Sequence, residues 1–213
     1  YPRDGGKRKY LIICSCICHF FMLRKKRPPS DFMRRLAEYE ASEIDAFRDY
    51  VFAAAHSRRG KIEHLSQSLS LEQTELLADD IFEIKMIEDL AQQLSLVALY
   101  RVVEKSMSRM FSHKWGPSFG HKAYRIEFVK KHLKGKLRVD LEMLPYFREI
   151  DELRLLNNAI KHGGQVTAEL AKYERWKQGS RLTGLGPTYE RLRNRVPNYI
   201  YQVGQAMKIA YRT

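Results

Sequence analysis

Between Ser70 and Gly116-Pro117 the chain runs for 45 residues without a glycine or a proline. Within it Leu77, Ile81, Ile84, Ile87, Ala91, Leu94 and Ala98 keep a spacing of three and four, the period of a buried helical stripe. Gln73 stands three residues after Ser70, as in a capping box. The run therefore predicts one helix from near Ser70 to about His113. That is longer than an ordinary globular helix, so a break or a projecting, pairing helix is expected.

The flanking segments follow the same period. Asp31–Arg59 predicts a helix opened by Ser30 as N-cap and closed by Gly60. Gly120–Leu133, Pro145–His162, Val166–Gln178, Pro187–Arg195 and Pro197–Arg212 predict further helices, each bounded by Pro, Gly or a basic turn. No segment alternates like a strand. The expectation is an all-α bundle, with a long antiparallel helix pair and a C-terminal group of shorter helices, over a single domain 30–213.

Residues 1–29 differ from the rest. The apolar run Tyr10–Leu23 lies between Lys7-Arg8-Lys9 and Arg24-Lys25-Lys26-Arg27. As a helix its 14 residues would span about 21 Å, short of a bilayer core of about 30 Å. No stable membrane insertion is expected. Cys14, Cys16, Cys18 and His19 lack a second Cys/His pair to complete a zinc tetrahedron. The segment reads as an extension outside the working fold, with Met22 or Met33 as the native start. The absence of cysteine beyond Cys18 suits a reducing, cytoplasmic setting.

Charge is unevenly placed. The chain carries a formal +13, with 38 Lys+Arg against 25 Asp+Glu. Residues 30–100 hold 7 basic and 14 acidic side chains, and residues 101–213 hold 23 and 10. A basic C-terminal half suggests contact with a polyanion, or else neutralisation against the acidic half. The densest basic group is Lys130, Lys131, Lys134, Lys136 and Arg138, which suits phosphate tracking if it is more than a solvated helix end. Trp115, Trp176 and Tyr173 could stack bases but are expected as core or interface anchors.

No phosphate loop, nucleophile elbow or zinc-protease motif occurs, so no cofactor is expected. His56, His64, His113, His121 and His132 have no ligand spacing, so no metal is expected either. Chemistry concentrates in Glu149–Gly164, EIDELRLLNNAIKHGG. There Tyr146, Leu153, Leu156 and Ile160 define a core face. Arg154, Asn158 and His162 recur at i, i+4 and i+8 along its flank, with Asn157 and Lys161 beside them. Gly163-Gly164 places His162 on the last turn. An imidazole, cations and carboxamides on one stripe suit a phosphodiester: the imidazole moves a proton, the cations hold phosphate, and the amide orients a hydroxyl. An amphipathic helix whose histidine merely caps its end has the same pattern.

The stretch Leu153–Gly163, LRLLNNAIKHG, resembles the signature of the HEPN (higher eukaryotes and prokaryotes nucleotide-binding) family, in plain form RNxxxH followed by Gly. A Glu-bearing upstream helix around Tyr100–Glu104 agrees in order, and the likeness spans roughly residues 75–205. It implies a four- or five-helix bundle that dimerises so that two motifs face one cleft. Many such proteins are metal-independent ribonucleases of toxin or phage-defence systems. His162 then matches the motif histidine and Asn158 the polar residue after the arginine. Asn157 stands where the family has that arginine, leaving Arg154 or Lys161 to take its role. The resemblance implies a homodimer acting on RNA and leaving 2′,3′-cyclic ends, with an antitoxin or regulatory protein as a further partner. The alternative is an inactive module binding nucleic acid, nucleotide or protein at the same cleft.

Overall fold

The computed structural model describes residues 29–66 and 71–209. The apolar run Tyr10–Leu23, its cysteines and the Ser70 cap lie outside them. Helix α1 spans Pro29–Ser66 and α2 spans Leu71–Trp115. A one-turn α3 (Pro117–Gly120) leads to α4 (Ile126–Leu137) and then α5 (Phe147–Lys161). Helices α6 (Leu185–Arg193) and α7 (Arg195–Ile209) close the chain. No strand is present among the described residues, only one antiparallel bridge between Gln165 and Arg181. The all-α expectation is met.

Helices α1 and α2 are antiparallel. Arg109 pairs with Glu40 near one end of the pair, and Arg58 bonds both Asp80 and Glu83 near the other, each at 2.7 Å. Helix α1 passes through Gly60 instead of stopping there. A helical glycine costs about 1 kcal/mol against alanine, and the burial of Ile62 beside Ala55, Ile84 and Leu77 offsets it. Ser30 is not a cap in the sense expected: it is buried in the first turn, and its hydroxyl accepts from Gln205 Nε2 at 2.9 Å.

The main core fills the space between the N-terminal half of α1, the C-terminal half of α2 and helices α4–α7. Phe111, Tyr189, Tyr199, Leu153 and Leu156 are fully buried in it. Asp45 on α1 ties down α6 by accepting from Tyr189 Oη (2.8 Å) and Arg193 Nε (2.6 Å). Gly204 on α7 allows a close approach, since a Cβ there would lie 2.7 Å from Ser30 Cβ.

Beyond this core, α1 and α2 run on as a pair that, among the described residues, packs on itself alone. Here the sequence expectation fails in part. Ile84 and Ala91 are buried, whereas Ile81, Ile87 and Leu94 of the same supposed stripe are exposed. A two-helix layer covers only one face of each helix. Phe82, Met86 and Leu90 on the opposite side are therefore uncovered too, Phe82 at 64%.

Candidate functional site

Helix α5 carries the candidate residues on the rim of its core face. Ile150, Leu153, Leu156 and Ala159 are buried, which turns Asn158, Lys161 and His162 outward. His162 is the C-cap; its N–H donates to the carbonyls of Asn158 (3.0 Å) and Ala159 (3.3 Å). Gly163 and Gly164, at φ +115° and +70°, reverse the chain so that Gly164 N donates to Ala159 O at 2.9 Å. Side chains rarely adopt such φ values, which explains why glycine follows the histidine. The imidazole of His162 is exposed and makes no side-chain hydrogen bond among the described residues.

Of the motif residues, Asn157 and Lys161 line one cleft and Arg154 another, while Asn158 and His162 line neither. The larger, about 620 Å³, lies between α1, α2 and α5. Asn157 and Lys161 line it from α5, Arg101 and Glu104 from α2, and Ile44 and Phe47 from α1. Arg101 and Glu104 pair at 2.9 Å. Asn157 is only 2% exposed; its Nδ2 makes a 3.4 Å bond to Asn158 Oδ1, and its own Oδ1 has no partner among the described residues. A buried acceptor left unpaired costs on the order of 1–3 kcal/mol. Tyr100 faces the same helix junction, and burial together with the Glu104 charge pushes its phenol up to about 12.

Arg154 goes elsewhere. Around the helix axis it lies about 20° from Lys161, yet about 10 Å away along it. Asp151 holds its Nε at 2.9 Å and Nη2 at 2.8 Å. Asp151 also accepts from Tyr173 Oη at 3.0 Å, and these three line the second cleft, about 280 Å³, with Arg148, Glu169 and Lys172. The structure thus brings Asn157, Asn158, Lys161 and His162 to one end of α5 and sets Arg154 apart from them.

The basic group on α4 is partly neutralised. Lys130 pairs with Glu142 (3.1 Å) and Glu127 (3.4 Å) and sits over the Phe147 ring, and Lys134 pairs with Asp140 (3.0 Å). Lys131, Lys136 and Arg138 remain exposed without ion pairs among the described residues. On the inner side of α4, His132 is boxed by Trp115, Phe119, Phe111 and Phe128, the last stacked at 5.5 Å. Desolvation, with Lys136 nearby, holds its pKa below the usual histidine value.

Trp115 and Trp176 are anchors, as expected. Trp115 belongs to the His132 box, and Trp176 is buried with Nε1 donating to Glu152 Oε1 at 2.9 Å. Glu152, itself buried, also receives Arg191 Nη2 at 2.7 Å. Glu152 belongs to no motif; a carboxylate between Asp151 and Leu153 on a core-facing turn is its only signal in the sequence. The predicted helix Val166–Gln178 is absent. A single 3-10 turn, Leu170–Lys172, occupies it, and Thr167 Oγ1 accepts from Leu170 N at 3.3 Å. Val166 N to Ser180 O and Gly179 N to Val166 O (both 2.9 Å) close the segment into a loop. Gly179, at φ +76°, supplies the return.

Comparison with protein-family models, curated proteins and solved structures gives no match to this chain. Among the described residues no group of three or more His, Cys, Asp or Glu side chains is gathered to hold a metal ion. None of the described helices is long and apolar enough to cross a membrane.

Proposed function

We propose that the chain is a HEPN-like, RNA-directed protein that acts at the C-terminal end of α5 as a metal-independent endoribonuclease of a toxin or phage-defence system. One observation carries the reading. The exposed imidazole of His162 directly follows Lys161, which makes no ion pair among the described residues and lines a cleft together with the buried Asn157, whose Oδ1 has no partner among them. In the proposed reaction His162 takes the proton from a ribose 2′-OH, which attacks the adjacent phosphorus. The 5′-oxygen of the next nucleotide leaves with a proton returned by an imidazolium, and the other product ends in a 2′,3′-cyclic phosphate. Lys161 stabilises charge on the non-bridging oxygens, and Asn158 orients the hydroxyl. Arg154 has no part in this step, because Asp151 already engages it.

The proposed working state is a homodimer. Phe82, Met86 and Leu90 form an exposed apolar stripe on α2 that leads, one turn on, to the exposed Leu94, and Phe47 of α1 is exposed as well. Leu94 and Phe47 also line the larger cleft, so a second copy covering the stripe would meet the cleft rim. An antitoxin or other regulatory protein would compete for the same face.

A second reading, an inactive module that binds nucleic acid, a nucleotide or a protein in this cleft, is favoured by the burial of Asn157 where the family has an arginine. One mutant set separates the two. RNA cleavage in EDTA should fall 10²–10⁴-fold, about the worth of a general acid–base group, in His162→Ala. It should fall in Lys161→Ala and stay close to the parent in Arg154→Ala. Folded parent protein that cuts no RNA selects the binding module.

A further inference from the structure

The loop 165–182, which includes the segment Val166–Gln178 that sequence periodicity predicts as a helix, carries four cations, Lys172, Arg175, Lys177 and Arg181. All four are exposed, and none makes an ion pair among the described residues. The α4 group contrasts with this, since two of its five cations are already paired with carboxylates. The loop is also adjacent to the candidate histidine. It starts three residues after His162, and Arg181 is bridged across from Gln165. Leu182 N donates to Gly164 O at 3.0 Å, so both ends of the loop meet at the turn that follows the imidazole.

Its base is fixed. Trp176 is buried and bonded to Glu152 on α5, and Leu170 and Val166 are buried in the core. Cations presented from a fixed base lose little freedom when a ligand binds. The partner's chemistry follows from what the loop exposes. Its large apolar side chains face inward, and no exposed large hydrophobic residue lies within it. It has nothing to insert into a lipid surface, and its four cations outnumber its two exposed carboxylates, Glu169 and Glu174, which suits a strand of phosphates.

We infer that loop 165–182 is the phosphate-tracking surface of the protein, with Lys172, Arg175, Lys177 and Arg181 leading a single RNA strand to His162. This rests on the RNA-directed reading above and moves the main binding surface from α4 to the loop.

The test measures anisotropy of a fluorescent single-stranded RNA with the full chain carrying His162→Ala, so that cleavage does not consume the probe. Affinity is followed across a salt series. Each single-strand phosphate contact adds about 0.7 to the slope of log K against log salt. Lys172→Gln/Arg175→Gln and Lys177→Gln/Arg181→Gln should each lower the slope by about 1.4. Lys131→Gln/Lys136→Gln should leave it within about 0.7 of the parent. All six positions are exposed, and matching melting temperatures confirm that the variants fold. A slope that drops in the α4 pair and not in the loop pairs overturns the inference while leaving RNA binding in place. A parent chain that binds anionic vesicles but no RNA at any salt overturns the RNA-directed reading itself.

Discussion

Glu152 is the most consequential buried charge near the site, and its removal gives a sharp prediction. Its Oε1 receives both Trp176 Nε1 from the loop and Arg191 Nη2 from α6. In Glu152→Ala the indole N–H is left buried without an acceptor, which costs on the order of 1–3 kcal/mol. Arg191 is a quarter exposed and can regain water, so its lost pair adds only about 1 kcal/mol. A total of about 3 kcal/mol corresponds to a fall in Tm of about 6–12 °C for a chain of this size. Glu152→Gln keeps an acceptor oxygen and should lose about 1 kcal/mol. Thermal unfolding followed by circular dichroism measures both, and the emission of Trp176 should shift to the red only in the alanine variant. A Tm for Glu152→Ala within 2 °C of the parent would refute the clamp, as would equal losses in the two variants.

Two further outcomes are expected. The folded-state pKa of His132 lies below that of the unfolded chain, so the unfolded state binds the proton first. Its contribution is fully present above about pH 6.5 and is lost as pH falls through the folded value; Tm measured from pH 7.5 to 5 should therefore drop more in the parent than in His132→Phe. If the apolar stripe of α2 is the dimer face, Leu90→Asp should give a folded monomer by analytical ultracentrifugation where the parent is a dimer, and a dimeric variant would place the interface elsewhere.

The period of the sequence made the helices visible but not their surroundings. Ile84 and Ile81 sit in equivalent positions of one apolar run, yet only Ile84 meets α1, because burial depends on how many helices lie alongside. Gly60 reads as a stop, and the packing of Ile62 carries the helix through it. Val166–Gln178 has helical spacing and forms a loop, because Trp176 finds its acceptor on Glu152 and Gly179 permits the return. At the candidate site, the exposure of His162 followed from Gly163-Gly164. The capture of Arg154 by Asp151 is an i, i+3 pair that the sequence contained, but its choice between two clefts depends on Tyr173 from the distant loop. The aromatic box around His132 joins α2, α3 and α4, and no local pattern marks it.

The central claim is that His162 performs proton transfer on RNA, and the chemistry of the product ends tests it most directly. The purified chain and its His162→Ala variant should be incubated with RNA in EDTA and the new 3′ ends analysed. The parent is expected to give 2′,3′-cyclic phosphates and the variant none. Cyclic ends produced equally by both, or a folded parent that leaves the RNA intact, would contradict it.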